Sequence, residues 1–272
     1  MIDLAAATAR LAAAGIGTPR VDAQLLLAHV LGIPRTQLAV AHPTAEQAAE
    51  FANLVDRRAA RVPLQHLTGT APFRYLDLAV GTGVFVPRPE TELLVDVALL
   101  DAPRIAVDLC AGSGALALAL AAEARTAECY AVENDPAALK WLRRNAAGSA
   151  VTVVDADVRD PLLPQLAGRV DVVVSNPPYV PNATPVDLEV RADPATAVFA
   201  GPDGLAVIPH VIARAAELLR PGGLLVMEHD DSHGDAVPRL LRRDARWADV
   251  VDRPDLTGRP RFVTARRDEP HR

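Results

Sequence analysis

Asn176-Pro177-Pro178-Tyr179 follows the apolar run Val170-Asp171-Val172-Val173-Val174-Ser175. Proline has no N–H to give a β-ladder, so two in succession mark where a chain leaves a sheet. Each also holds the residue before it in extended geometry, which stiffens Asn176 and Pro177. The outcome is a rigid loop that carries a side-chain amide, backbone carbonyls and an aromatic ring, all able to bind and orient a ligand group. In an open α/β sheet, ligands sit beyond the carboxyl ends of the strands. A strand-terminating turn with an exposed tyrosine would use the same four residues, so the sequence upstream must decide between the two.

Upstream, Asp108-Leu109-Cys110-Ala111-Gly112-Ser113-Gly114-Ala115 joins a buried strand to a helix. Gly112 and Gly114 allow a tight turn and close approach of a ligand to the backbone. The helix that follows offers N–H groups and a positive dipole end to an anion. The spacing is not Gly-x-Gly-x-x-Gly, which argues against a dinucleotide. Glu133 ends the next strand, where a carboxylate can accept hydrogen bonds from both hydroxyls of a ribose. The third strand ends at Asp155-Ala156-Asp157-Val158, where a further acid can take the exocyclic amine of an adenine. In this order the pieces describe a site for a nucleoside with a short anionic tail and no pyrophosphate. S-adenosylmethionine fits that description.

These loops need a sheet to hold them. After Pro103 the pattern predicts strands at Ile105–Leu109, Cys129–Glu133, Val151–Ala156, Val170–Ser175 and Gly223–Glu228. Helices are expected at Ala115–Ala124, Pro136–Asn145, Val207–Leu219 and Asp235–Arg242. Ala248–Asp252 and Arg261–Arg266 read as a closing strand pair. Such alternation predicts an α/β fold with a mostly parallel, Rossmann-like sheet covered on both faces and an antiparallel last strand. Residues 1–72 read as a small helical domain. Thr18-Pro19 starts one helix, with Leu25, Leu26, His29 and Val30 on one face and Gly32 closing it. Thr44-Ala45-Glu46-Gln47 is a capping box that opens a second helix, running through Phe51, Leu54 and Val55 to about Ala60. Residues 73–89 read as a β-hairpin linker leading into a helix from about Glu90 to Leu100, with the larger domain spanning 90–272.

The chain has 272 residues, half of them hydrophobic, with a formal net charge of −6 and Lys140 as its single lysine. No overall basic footprint exists for gripping a phosphate backbone. The two cysteines, Cys110 and Cys129, lie in buried strands or their ends, which suggests a reducing compartment. The beginning of the chain does not read as a signal peptide. The longest apolar stretch, Ala115 to Ala122, falls far short of a membrane span. A cytoplasmic protein without membrane contact is expected.

The chain resembles the class I methyltransferases, and within them the protein-(glutamine-N5) methyltransferases that modify class I peptide-chain release factors. Asn176-Pro177-Pro178-Tyr179 resembles that family's catalytic loop and Pro63-Leu64-Gln65-His66-Leu67-Thr68-Gly69 its interdomain motif. Phe85-Val86-Pro87-Arg88-Pro89-Glu90-Thr91-Glu92 is similar to its linker signature, and Glu228-His229 to its fifth-strand end. The resemblance covers almost the whole chain. It implies S-adenosylmethionine at Asp108, Cys110, Ala111, Gly112, Ser113, Gly114, Glu133, Asp157, Val158 and Asn176. It further implies that Phe85 and Arg88 line the substrate channel with Asn176, Pro177, Pro178 and Tyr179. Four departures stand out. Glu133 replaces a common aspartate, Val158 a larger ring beside the adenine, Cys110-Ala111 a glycine-threonine opening, and Asp193-Pro194 a glutamate-proline.

The difficulty for such an enzyme is the nucleophile, because a glutamine amide nitrogen has its lone pair delocalised into the carbonyl. The resemblance implies that the Asn176 side-chain oxygen and the Pro177 carbonyl accept both N–H hydrogens, with Tyr179 packed on the amide. The resemblance further implies that the glutamine lies in a Gly-Gly-Gln loop of a docked release factor; a monomer that does not bind nucleic acid is expected. Two alternatives remain. An adenine-N6 methyltransferase acting on DNA or RNA can use the same loop, because adenine's amine is also conjugated; a non-catalytic module would bind cofactor or release factor without turnover. The cluster Glu228-His229-Asp230-Asp231-Ser232-His233 is expected to be a solvated loop rather than a metal site.

Overall fold

Thr44 and Gln47 start a helix as their spacing predicts. The Gln47 N–H donates to the Thr44 hydroxyl at 3.2 Å and the Thr44 N–H to the Gln47 side chain at 2.9 Å. The computed structural model describes residues 2–124 and 126–268. It divides into two units, the first made of the chain up to Thr70 with Val80–Thr82 and Val186–Ala192. In that first unit α1 (Leu4–Ala13) is capped by Asp3, and α2 (Pro19–Leu31) ends at Gly32 with φ 64°. The helix of the capping box is α3 (Ala45–Ala59), and α4 (Leu64–Thr68) follows Pro63 and ends at Gly69. Leu11, Leu26, Leu27, Phe51, Leu54, Val55 and Leu67 form the core between them.

The buried face of α2 differs from the expected one: His29 is exposed, and Asp22, Ala23, Leu26 and Leu27 are inside. A buried ion pair accounts for this rotation. Arg58 of α3 donates to Asp22 at 2.7 Å, both side chains being only 5% exposed. The other Asp22 oxygen accepts from the Thr18 hydroxyl at 2.7 Å. Arg58 also donates to the Val62 carbonyl and to Glu189, which belongs to the same unit.

The hairpin comes earlier than expected, with β1 (Thr70–Phe73) and β2 (Leu76–Ala79). Val84 and Val86 are buried without strand partners, because the Val86 N–H goes to the Asp193 carboxylate at 3.1 Å instead of a ladder. A 3-10 turn at Pro89–Thr91 then leads into α5 (Glu92–Leu99).

In the second unit β3 (Ile105–Leu109), α6 (Ala115–Glu123), β4 (Glu128–Glu133), α7 (Pro136–Ala146), β5 (Val151–Asp155) and β6 (Val170–Ser175) alternate. They are followed by α8 (Ala195–Val198), α9 (Ile208–Leu218), β7 (Leu219–Glu228), α10 (Ala236–Arg242), β8 (Trp247–Pro254) and β9 (Pro260–Arg267). The seven-stranded sheet has the order β5-β4-β3-β6-β7-β9-β8. Pairing is parallel from β5 to β7 and antiparallel for β7–β9 and β9–β8. Val107, Leu109, Val172, Val173, Val174, Leu225 and Met227 are fully buried. Near-continuous apolar runs of this kind mark strands covered on both faces. The order reverses beside β3: the chain first builds outward to β4 and β5, then returns to lay β6 on the other side of β3.

Breaking a buried ion pair by removing one partner leaves an uncompensated charge and costs about 3–5 kcal/mol. Asp22→Ala is therefore expected to destabilise the helical unit by that order. Hydrogen exchange checks this: amide protection should fall across α2 and α3 and stay unchanged in β3, β6 and β7.

Candidate active site

The parallel register sets the loops in a row. Leu109 at the end of β3 lies opposite Val132 of β4 and Ser175 of β6, and Ser175 lies opposite Met227 of β7. On β4, Glu133 lies opposite Asp155 of β5. The carboxyl edge of the sheet thus carries, in spatial order, the Asp155–Asp157 segment, Glu133, the Cys110–Gly114 turn, Asn176 and Glu228. The turn and the Asn176 loop leave adjacent strands at the reversal of strand order, where open α/β sheets bind ligands.

Within the turn the two glycines do different work. A Cβ on Gly114 would lie 2.6 Å from Leu142, so this residue lets α6 pack closely. A Cβ on Gly112 would meet nothing within 4 Å, so its surroundings are open to a ligand. Cys110 has φ 64°, a left-handed conformation that costs a non-glycine residue about 1–2 kcal/mol. Burial, then the charges of Glu133, Asp108 and Asp157, push its thiol pKa up and keep it protonated. Ala111 and Ser113 complete the turn, Ala111 through its N–H to the Val132 carbonyl at 2.9 Å.

Asp108 is 1% exposed. Its Oδ2 accepts from the Ala117 N–H at 3.1 Å, while Oδ1 is buried with no hydrogen-bond partner. Burial raises its pKa well above the ordinary value. A buried carboxyl oxygen without a donor is costly, and a donor or cationic group of a ligand would relieve it. Glu133 accepts from the N–H groups of Gly112 at 2.8 Å, Asn134 at 2.9 Å and Asp135 at 2.8 Å. These bonds fix the carboxylate and still leave lone pairs for two hydroxyls. Its pKa is raised by burial, which outweighs those three donors. The open space at Gly112, the orphaned Asp108 oxygen and the fixed Glu133 carboxylate fit a ribose-bearing cation such as S-adenosylmethionine.

Asp157 accepts from the Asn134 amide at 2.9 Å and from the Arg159 N–H at 2.8 Å. The Val158 side chain is buried with Leu162, Leu163 and Leu166 in the core. Arg88 stacks 4.8 Å over the Phe85 ring and pairs with Asp193, whose other oxygen holds the Val86 N–H. The linker arginine is thereby anchored by Asp193.

The Asn176 loop is tied to the strand beside it. Asn176 Nδ2 donates to Thr91 Oγ1 at 3.2 Å, and Thr91 Oγ1 donates to Glu228 Oε2 at 2.7 Å. The Tyr179 hydroxyl donates to Glu228 Oε1 at 2.8 Å. Burial raises the pKa values of both Tyr179 and Glu228. Pro177 is buried, while Pro178 and Tyr179 are half-buried.

The cluster expected to form a solvated loop is only partly one: Asp231 and Ser232 are exposed and Asp230 is half-buried. Glu228, His229 and His233 are buried, each with at least one polar atom met by a partner distant in sequence. His229 contacts Asp252 at 2.9 Å and the Asp230 carbonyl at 2.9 Å, and His233 contacts the Asp203 carbonyl at 2.9 Å. Among the described residues no three His, Cys, Asp or Glu side chains gather as a metal site. Sequence reasoning missed Thr91 and Glu228 as partners of the loop. The available signal was an acid ending a buried strand next to the one that carries Asn176.

A release factor glutamine methyltransferase of Mycolicibacterium smegmatis is 54% identical over 268 residues, spanning 96% of this chain and 95% of its own length. That of Streptomyces coelicolor is 49% identical over 280 residues, or 99% of each chain. The chain belongs to the family of release factor glutamine methyltransferases. Residues 4–69 match the family described as PrmC N-terminal domain, and residues 88–191 the Methyltransferase small domain. Among solved structures, the hMettl16 catalytic domain in complex with MAT2A 3′UTR hairpin 6 has a TM-score of 0.58 at 15% identity. It covers 80% of this chain and 83% of its own, and shares the fold.

In this methyltransferase the Asn-Pro-Pro-Tyr loop is also held from behind. Gly204 has φ 74°, and a Cβ there would lie 2.2 Å from the Tyr179 carbonyl oxygen and 2.8 Å from the His233 ring. Gly204→Ala is expected to cost about 1–3 kcal/mol through backbone strain alone and to displace Tyr179. Thermal unfolding together with methyl-transfer rates checks this: a lowered Tm with lowered turnover is the expected result.

Proposed function

We propose that this methyltransferase transfers the methyl group of S-adenosylmethionine to the side-chain amide nitrogen of the glutamine in the Gly-Gly-Gln motif of class I peptide-chain release factors. The observation that carries the reading is the Asn176 amide. It stands at the strand-order reversal with Nδ2 engaged by Thr91, in a chain alike over nearly its whole length to release factor glutamine methyltransferases. Asp108, Glu133 and the turn from Cys110 to Gly114 hold the cofactor, with Asp157 and Val158 at its base end. Bound there, it supplies a methyl group on a sulfonium, already activated for in-line displacement.

The protein's task is to prepare the nitrogen. Asn176 Oδ1 and the Pro177 carbonyl accept the two hydrogens of the substrate amide, which aligns the nitrogen and reduces delocalisation into its carbonyl. Tyr179 and Pro178 close over the amide plane, while Phe85 and Arg88 line the approach. No strong base is needed beforehand, because the nitrogen's proton becomes acidic only as the new bond forms. Acceleration comes from orientation and preorganised electrostatics. The helical residues 1–72 recognise the release factor, and the protein works in the cytoplasm as a monomer without nucleic acid. Its acidic balance of −6 argues against a nucleic-acid substrate.

Incubation with labelled cofactor and either a release factor or an oligonucleotide, followed by mass spectrometry, tests the reading. The methyl group should be found on the glutamine; label on the oligonucleotide alone would overturn it. Asn176→Ala is expected to lower single-turnover methylation by roughly a hundredfold or more, as removal of a preorganised polar group does. Cofactor affinity, measured by titration, should stay nearly unchanged.

Glu133 gives this reading a pH signature. Burial raises its pKa, so the ionised form that accepts ribose hydroxyls is lost, as pH falls, earlier than for an ordinary glutamate. Cofactor affinity should weaken through that range. The effect of the same group on stability has the opposite sign. A carboxyl whose folded pKa is raised disfavours the fold once pH exceeds its unfolded pKa, so its protonation stabilises the free protein. Calorimetric titration across pH, with Glu133→Gln as reference, should show a steeper fall in affinity for the native protein than for the variant.

A further inference from the structure

Asparagine's oxygen and nitrogen have nearly the same shape, so only hydrogen-bond partners decide which way the amide faces. Its orientation matters here, because an Asn176 turned the other way would set an NH₂ donor against the donors of a substrate amide. Thr91 sits at the N-cap of α5 yet makes no capping bond, forgoing a contribution typically of about 1 kcal/mol. Its hydroxyl instead bridges Asn176 and Glu228. Thr91 is 3% exposed and Glu228 1%.

We propose that Thr91 and Glu228 are positioning residues that set the direction of the Asn176 amide. An ionised Glu228 can only accept. It takes the single hydroxyl hydrogen of Thr91 at Oε2 and that of Tyr179 at Oε1. With its hydrogen committed, Thr91 can only accept from Asn176, which must then present Nδ2 to it and leave Oδ1 for the substrate. The direction therefore passes from carboxylate to hydroxyl to amide. A protonated Glu228 could donate to Thr91, freeing the threonine hydrogen to turn toward Asn176 and reverse the amide. Burial raises the pKa of Glu228 and Glu90 adds to this, while the hydroxyls of Thr91 and Tyr179 and the charge of Arg261 act against them and favour the ionised form. Arg261 is itself held by Asp255 at 3.2 Å.

This inference rests on the proposed role of Asn176 Oδ1 as an acceptor for the substrate amide, and the test separates the two. Thr91→Val, Thr91→Ser, Asn176→Ala and the Thr91→Val/Asn176→Ala pair are compared in single-turnover methylation of a purified release factor, with cofactor titration alongside. Thr91→Val should lower the rate at saturating substrate by about tenfold or more with cofactor affinity unchanged, and Thr91→Ser should keep most of it. In the Asn176→Ala background Thr91→Val should add little, since there is no amide left to orient. Equal losses in both backgrounds would make Thr91 merely structural and overturn the inference, as would a serine variant as impaired as the valine one. A normal Thr91→Val rate beside a crippled Asn176→Ala rate would sink the positioning role alone. Full activity of Asn176→Ala would sink the reading of the site itself.

Discussion

The parallel pairing of β3 with β6 is the constraint on which the rest of the second unit depends. Four residue pairs from Ala106↔Val172 to Leu109↔Ser175 fix the register, and the Ser175 hydroxyl closes it by donating to the Leu109 carbonyl at 2.6 Å. Parallel strands cannot be joined by a tight turn, so each needs a crossover, and such crossovers are right-handed. Two crossovers carry the chain from β3 out to β5; the return to β6 then brings two loops up on either side of one crevice. A slip of one residue in that register would turn the buried valines of β6 to the opposite face and carry Asn176 away from Thr91. Site geometry and core packing are thus fixed by the same ladder.

What could be read from the sequence was local. Thr44 and Gln47, Pro19 and Gly32, and Gly112 and Gly114 declare their structures within a few residues, because caps and turns are built from near neighbours. The alternation after Pro103 revealed the sheet for a similar reason: runs such as Val172–Val174 have few soluble uses except in a strand buried on both faces. What could not be read was pairwise and distant. Thr91 meets Glu228 across 137 positions, and Arg88 meets Asp193 across 105. No periodicity encodes such a meeting. His29 looked like part of an apolar face of α2 because nothing near it in sequence reveals that Arg58 draws Asp22 inward instead.

The Glu228–His233 cluster shows the same limit from the other side. A run of acids and histidines reads as solvated, since isolated charges are expensive to bury. Glu228 and His229 are buried all the same. The first is met by two hydroxyls from other elements, and the second by Asp252 from β8 and by its neighbour's carbonyl. Composition cannot distinguish a charge that will be met from one that will not; only the fold supplies the partners. Asp193 is a parallel case: a residue that departs from a familiar glutamate still reaches Arg88 and the Val86 N–H.

Strain and forgone stability gather along one edge of the sheet. Cys110 takes a left-handed conformation, Asp108 keeps an unpartnered oxygen, Glu228 is buried as an acid, and Thr91 leaves α5 without its side-chain cap. A fold optimised only for stability would remove all four. Reaction at a planar amide gives a reason to keep them. Such a nitrogen presents no charge to grip, so selectivity rests on which atoms donate and which accept. A neutral network can reverse all its donors and acceptors together at little cost, and the Asn176–Thr91 pair alone would have two near-equal states. An ionised carboxylate has no hydrogen to give, so placing one at the end of the network removes the second state. The burial of Glu228 is costly for the fold, yet it is also what excludes water that would otherwise offer Thr91 another partner and restore the ambiguity.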